Sequence, residues 1–406
     1  MRDWSTRYSR QAARMHLTVV SGPSYPKQGA GFISLRSGAP PAECIPRAWL
    51  ERGMERAWAC AQDLFGYQSA MGAWDLRALV AERMHALGCG DVDARNIMLL
   101  SGAQQGIDFL ARLFINPGDA VALEDPVYPG ALQTFDLCAP RYLAIPVRAD
   151  GLDLDALEAV LKHEQPKFLY IVPTFQNPTG TTMPLAHRER LIALARAHDL
   201  GIVEDDPYSA LRYAGADVPP LRALDAEVVY LGTFSKTIAP GIRVGWMVMP
   251  EALKDKLYAM KEAADINSDR VMQQAVYEMM QTGFFPDHLD HIRAVYAERR
   301  AAMLSALREY MPPDVTWTEP EGGFFVWLTL PPDMDVAEVL ARGNERGVGI
   351  VPGTGCTAIP GGQTDSLRLS FCAQPPDTIT EGIRRLAEAI TASRTERTMT
   401  NVILTN

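Results

Sequence analysis

The 406-residue sequence is short of cysteine: it has six, widely spaced and without a Cys-x-x-Cys pair. That excludes a zinc ribbon and a disulfide framework, and the thiols read as reduced. Clustered positive charge is also missing. Lys and Arg are scattered through a chain of formal net charge −10, which leaves no basic stripe for nucleic acid or anionic membrane. No apolar run approaches membrane-spanning length, and the N-terminus, MRDWSTRYSRQAARMHL, has no signal-peptide core. These absences leave a cytoplasmic protein with a small-molecule partner. No Gly-x-Ser-x-Gly elbow or Walker-type loop occurs. His288-Leu-Asp-His291 has one-face helical spacing but no third ligand, and reads as a solvated pair.

Hydrophobic residues make up 47% and charged residues 22%, values of a folded globular chain. Its length predicts two domains. Short β-like runs alternate with helical patterns from about 50 to 285: Ile97–Leu100, Ala120–Leu123, Phe168–Val172, Gly201–Val203, Val228–Leu231 and Val244–Met249. Between them lie helix candidates at Gln105–Leu113, Leu185–His198 and Lys254–Met280. The alternation predicts an α/β layer on a mostly parallel sheet. Beyond 286 come a long helix (Asp287–Tyr310), strands at Gly323–Leu330, Val348–Val351 and Ser366–Phe371, and helices at Val336–Arg346 and Pro376–Ala392. We therefore divide the chain into an N-terminal arm contributing to the small domain (1–49), a large domain (50–285), a small α+β domain (286–395) and a loose tail (396–406).

In parallel α/β sheets ligands bind beyond the carboxyl ends of strands, so polar residues there are weighed first. Ser101-Gly-Ala-Gln-Gln-Gly106 opens onto a helix whose N-terminus suits a phosphate, although Ser-Gly is also a plain cap. Tyr128 could stack on a flat ring or simply pack, and Asn177 sits before a Pro-Thr-Gly turn where Asn often serves only the backbone. Glu204-Asp-Asp206 is costly to bury without a cation; a solvated acidic turn or a magnesium site competes. Thr233-Phe-Ser-Lys236 carries two hydroxyls and a lysine suited to a Schiff base, with Arg243 following. Arg368 lies on a small-domain strand and requires an anion such as a substrate carboxylate. A phosphate cradle, ring stacker, carboxylate, phenolate donor and Schiff-base lysine together describe the needs of one ligand, pyridoxal 5′-phosphate (PLP).

With these motifs in order, and Ser235-Lys-x-x-x-Pro-Gly-x-Arg-x-Gly245 complete, residues 30–390 resemble the class I/II aminotransferases of PLP fold type I. They look most like the branch with 2-aminoadipate and kynurenine aminotransferases and the C-terminal domains of MocR-type regulators. The resemblance implies that Lys236 carries the cofactor and shuttles the proton, and that Asp205 pairs with the pyridine nitrogen. It further implies that Tyr208 and Asn177 bond the phenolic oxygen and that Tyr128 stacks on the ring. Ala103, Gln104, Thr233, Ser235 and Arg243 would hold the phosphate, and Arg368 the substrate carboxylate. Tyr67 would reach the neighbouring subunit's phosphate in a homodimer with shared sites.

Three departures bear on the substrate pocket. Arg36-Ser-Gly-Ala-Pro40 replaces an Ala-Gly-Gly-Leu-Pro string, which makes Gly38 and Arg36 substrate-binding candidates, with an outward-facing Arg36 as the alternative. Cys356 stands at an aromatic position, predicting a larger or differently shaped pocket, and Ala103 where serine is common. In the N-terminal arm Arg14 and His16 are candidates for side-chain selection. The implied activity is transfer of an amino group between an L-amino acid and a 2-oxoacid through pyridoxamine phosphate. The same scaffold hosts elimination, replacement, cyclisation and oxidation, and fold does not choose among them. A MocR-type regulator is disfavoured because only about 30 residues precede the fold and the chain is acidic.

Overall fold

In a computed structural model, which describes residues 2–15, 29, 31–60, 64–359 and 365–404, the apolar runs become strands buried between helices. The strands are β1 (Ile33–Ser34), β2 (Ile97–Leu100), β3 (Ala120–Asp125), β4 (Arg141–Arg148), β5 (Gly151–Leu152), β6 (Leu169–Ile171), β7 (Ile202–Asp206), β8 (Val229–Thr233) and β9 (Gly245–Val248). They continue with β10 (Thr316–Trp317), β11 (Phe325–Thr329), β12 (Val348–Gly349), β13 (Val351–Pro352) and β14 (Ser366–Ser370).

Eight strands form one sheet in the order β2-β9-β8-β7-β6-β3-β4-β5. The pairs from β4 through β3, β6 and β7 to β8 are parallel, whereas β9 is antiparallel to both its neighbours. Strand alternation sends Leu123, Tyr170, Val203 and Leu231 into one core, under the helix Ala103–Phe114. Ala122, Ile171 and Ile202 face another, under the helix Leu185–Ala197. Both faces being apolar is what a parallel sheet with crossover helices requires. A second, antiparallel sheet, β10-β11-β14-β13, packs its Val326, Leu328, Leu367 and Leu369 against the helices Phe285–Tyr310 and Pro376–Leu404. The N-terminal segment joins this part of the molecule: β1 pairs in parallel with β12, Ile33 opposite Val348.

The structure departs from the sequence pattern in several places. The run Lys254–Met280 is two helices, Lys254–Asp265 and Arg270–Met280. Ile266 breaks it with φ of +62°, and Asp269 caps the second helix by accepting from Met272 N. The run Val348–Val351 divides between two sheets. β4 had no apolar signature because it is largely half-buried. The last helix continues to Leu404 where a loose tail is expected. Among the described residues, no helix is long and apolar enough to cross a membrane.

Candidate active site

A cavity of about 460 Å³ opens at the carboxyl ends of the central parallel strands. Gly38 and every residue predicted to hold the cofactor or the substrate carboxylate line it except Tyr67, and Arg36 does not line it. The three carboxylates are on a strand, not on a loop. β7 runs through all of them, pairing Glu204 with Tyr230, Asp205 with Leu231 and Asp206 with Gly232. Alternation then sends Asp205 to the cavity and its two neighbours to the opposite face. Glu204 accepts from the N–H groups of Leu221 and Arg222, both at 2.9 Å. Asp206 accepts from Tyr230 Oη at 2.8 Å and from Ser209 N at 2.9 Å. Glu204 and Asp206 thus have their own donors, and among the described residues no group of three His, Cys, Asp or Glu side chains is placed to hold a metal ion.

Asp205 is different. Its Oδ2 accepts from Tyr170 Oη at 2.6 Å, while Oδ1 is buried without a partner. Burial raises its pKa to about 6, opposed chiefly by the Tyr170 bond and less by the Lys236 charge. A buried carboxylate oxygen left without a donor is expensive, and the protonated nitrogen of a pyridine ring would satisfy it.

Lys236 follows β8. Its Nζ donates to the Gly38 carbonyl at 2.9 Å, and burial pushes its pKa down. Gly38 has no room for a side chain, since a Cβ would come within 2.9 Å of Phe325 Cζ. Tyr208 is buried, with its ring set edge-on to Phe324 and Phe325. Tyr128 donates to Gln104 Oε1 at 3.2 Å, and Gln104 Nε2 donates to Gly130 O and Thr134 Oγ1 at 2.8 and 2.7 Å. The Gln104 side chain therefore fixes the tyrosine loop.

The end of the cavity beside the helix Ala103–Phe114 brings backbone and side chains together. Gly102 precedes the helix Ala103–Phe114 with φ of +79°, and a Cβ there would overlap Arg243 Nη2. Arg243, itself at φ +50°, donates to Ser101 O at 2.7 Å and Pro240 O at 3.2 Å. Thr233 and Ser235 are joined by a 2.9 Å hydroxyl contact beside them. N–H groups of a helix's first turn, with its positive dipole end, two hydroxyls and a guanidinium make an anion site.

At the other end Arg368, on β14, is 3% exposed. It donates to Asn177 Oδ1 and to the Arg36 carbonyl, each at 3.1 Å, and its Nε is buried without a partner. Those partners are neutral, and the guanidinium lies 4.3 Å from the Phe325 ring centroid. Neither partner is a carboxylate, which leaves the guanidinium to pair with an incoming anion. Together, the orphaned Asp205 oxygen, the lysine, the N-terminal helix turn and this arginine fit PLP and an amino acid.

Several candidates are placed elsewhere. The Arg36 side chain turns away from the cavity to Ile350 O and Asn344 Oδ1 and lies over Phe32, so only its carbonyl serves the site. Cys356 is fully buried off the cavity wall, so its effect on pocket shape is indirect. Arg14 reaches Leu137 O at 3.4 Å, and His16 lies outside the described residues. His288 is not a solvated partner of His291: its Nε2 meets Thr237 O at 2.7 Å, and burial lowers its pKa. Tyr170 was not legible. It sits in an apolar run, and only the register of β6 on β7, Tyr170 opposite Val203, brings it beside Asp205.

The family described as Aminotransferase class I and II matches residues 30–386. Aromatic-amino-acid aminotransferase 1 of Thermococcus litoralis is 38% identical over 96% of this chain and 95% of its own. The crystal structure of a multiple substrate aminotransferase from Thermococcus profundus superposes with a TM-score of 0.92 at 35% identity, covering 97% of this chain and all of the other. LysN, an α-aminoadipate aminotransferase of Thermus thermophilus complexed with N-(5′-phosphopyridoxyl)-L-leucine, gives 0.89 at 36% identity, with 97% and 100% coverage.

Proposed function

The chain belongs to the class I and II aminotransferases, enzymes that use PLP, and we propose that its amino-group transfer is carried by Lys236, Asp205 and Arg368. When bound, PLP supplies a carbonyl carbon that takes up the amino group and a ring that draws electrons from the substrate's Cα. Arg368 binds the α-carboxylate of the amino acid and, in the reverse half, of the 2-oxoacid. Lys236 Nζ, whose pKa burial pushes down, accepts the Cα proton and returns it. Asp205 Oδ1 accepts the ring nitrogen's proton as a hydrogen bond. Tyr208 and Asn177 hold the phenolic oxygen, Tyr128 covers the ring, and Ser235, Thr233, Arg243 and the turn at Ala103–Gln104 hold the phosphate.

The observation that carries this reading is the buried, partnerless Asp205 Oδ1 beside a lysine of lowered pKa. The free thiols of the described cysteines support a reducing, cytoplasmic setting. The exposed Tyr67 supports a homodimer with shared sites. The test is to mix the holoenzyme with amino acids singly, aromatic residues and 2-aminoadipate first, following absorbance and 2-oxoacid. A bleached cofactor band restored by a 2-oxoacid is expected. Ammonia release with the band unchanged would overturn the transfer reading.

A further inference from the structure

We propose that Tyr170 is a positioning residue that keeps the proton on the ring nitrogen of the bound cofactor, by donating a hydrogen bond to Asp205 Oδ2 from behind. The inference rests on the reading of Asp205 as the ring-nitrogen partner. Tyr170 is fully buried on β6, on the same face as Asp205, with its Oη 2.6 Å from Oδ2. Among the described residues this is the hydrogen bond that the Asp205 side chain receives, and Oδ1 has none. One oxygen is therefore fixed from the core while the other is presented to the cavity.

A donor on a carboxylate makes it a weaker base. In an N–H···O pair the weaker base leaves the proton on nitrogen, where it serves as an electron sink. Without the donor, the proton moves from the ring nitrogen to Oδ1, and both partners become neutral with no change in total charge. The surroundings leave this to Tyr170. Glu124, next to Leu123 on β3, lies on the opposite face of the sheet from Asp205, and burial lifts it to about 8, so it is mostly protonated at pH 7. Asp206 directs its carboxylate to Tyr230 and Ser209 on the other face. Tyr128, whose phenol burial pushes up to about 12, Tyr208, whose phenol burial pushes well above its ordinary value, and the Lys236 amine are the other ionisable groups acting on Asp205. Burial and the Asp205 charge push the Tyr170 phenol well above its ordinary value, so it remains a donor throughout the working range.

The experiment uses holoenzyme loaded with cofactor labelled with ¹⁵N in the ring, comparing wild type, Tyr170→Phe, Tyr170→3-fluorotyrosine and Asp205→Asn. The expected ¹⁵N shift is that of a protonated ring in wild type, moving toward the neutral ring in Tyr170→Phe. The more acidic fluorophenol should shift it the opposite way. The absorbance midpoint of the Lys236-linked cofactor should rise in Tyr170→Phe, because the positive charge lost is on the cofactor ring itself, while the carboxylate charge lost with it lies one hydrogen bond farther away. A purely structural tyrosine would change occupancy without moving these two signals. If both tyrosine variants keep the wild-type shift and midpoint while Asp205→Asn loses the protonated signal, the proposal is overturned and the Asp205 reading stands. A protonated ring retained in Asp205→Asn would overturn both.

Discussion

Arg368 is a cation at nearly full depth whose hydrogen-bond partners are a side-chain amide and a carbonyl. Burying such a charge costs several kcal/mol unless an anion joins it, so the substrate carboxylate is expected to return that energy on binding. Arg368→Ala should raise KM about 100-fold for both the amino acid and the 2-oxoacid, the scale of a charge-assisted bidentate pair. Steady-state kinetics on both half-reactions check this, and an unchanged KM for either would refute it. Arg368→Lys should not rescue, because a point charge cannot keep Asn177 and the carboxylate in one plane. Burial lifts Glu124 from an ordinary 4.5 to about 8, so the folded protein holds a proton that the unfolded chain releases. Its contribution to stability is therefore complete below about pH 4.5 and is lost as pH rises through 8, with a slope of about 1.4 kcal/mol per pH unit. Glu124→Gln keeps the shape without the titration. Its unfolding free energy, measured in denaturant, should fall less steeply between about pH 5 and 8 than that of wild type. Some slope remains, since burial raises Glu204 to about 7 and it titrates in the same sense.

At the scale of elements, the phosphate end depends on two chain segments meeting without side chains between them. A Cβ on Gly245, where β9 begins, would lie 2.8 Å from Ala103 N, and one on Gly102 would overlap the Arg243 guanidinium. Gly102→Ala would also meet the positive φ there, at a cost of about 1 kcal/mol or more. The expected result is a loss of PLP affinity of at least about tenfold with the fold retained, read by cofactor titration and circular dichroism; wild-type affinity would refute it. The glycine–arginine spacing of this element was readable in the sequence because its constraint is local. The carboxylates of β7 were not, because an apolar pattern stops at Val203 while the strand continues. What carries it on is donors from distant segments: Tyr170, Tyr230, and the N–H groups of Leu221 and Arg222. The split of Lys254–Met280 had a readable cause in Asn267-Ser-Asp269, a run of capping residues inside a helical pattern. Arg36 shows the opposite limit: its sequence position matched the substrate loop, and only the place of Asn344 and Ile350 decides that its side chain points elsewhere.

For the whole molecule, the residue that the cavity lacks is informative. Tyr67 is 85% exposed, and Trp58, Phe65, Trp74 and Ile266 also leave large apolar side chains in solvent. Trp58 and Phe65 lie with ring centroids 5.0 Å apart. If a second copy covers Tyr67, Tyr67 of each subunit would complete the phosphate end of the other. Sedimentation should then give a dimer, and Tyr67→Ala should weaken PLP binding about tenfold through one lost hydrogen bond to a charged group. Subunit mixing separates sharing from mere association. In a hybrid of one Lys236→Ala subunit and one Tyr67→Ala subunit, a shared arrangement joins the intact lysine of the second to the intact tyrosine of the first. One site per dimer should bind PLP with wild-type affinity, although neither parent homodimer has such a site. If Tyr67 serves its own subunit, the surviving lysine is always beside the missing tyrosine, and the hybrid shows only weak sites. A dimer without recovery in the hybrid would therefore keep the interface and reject the sharing.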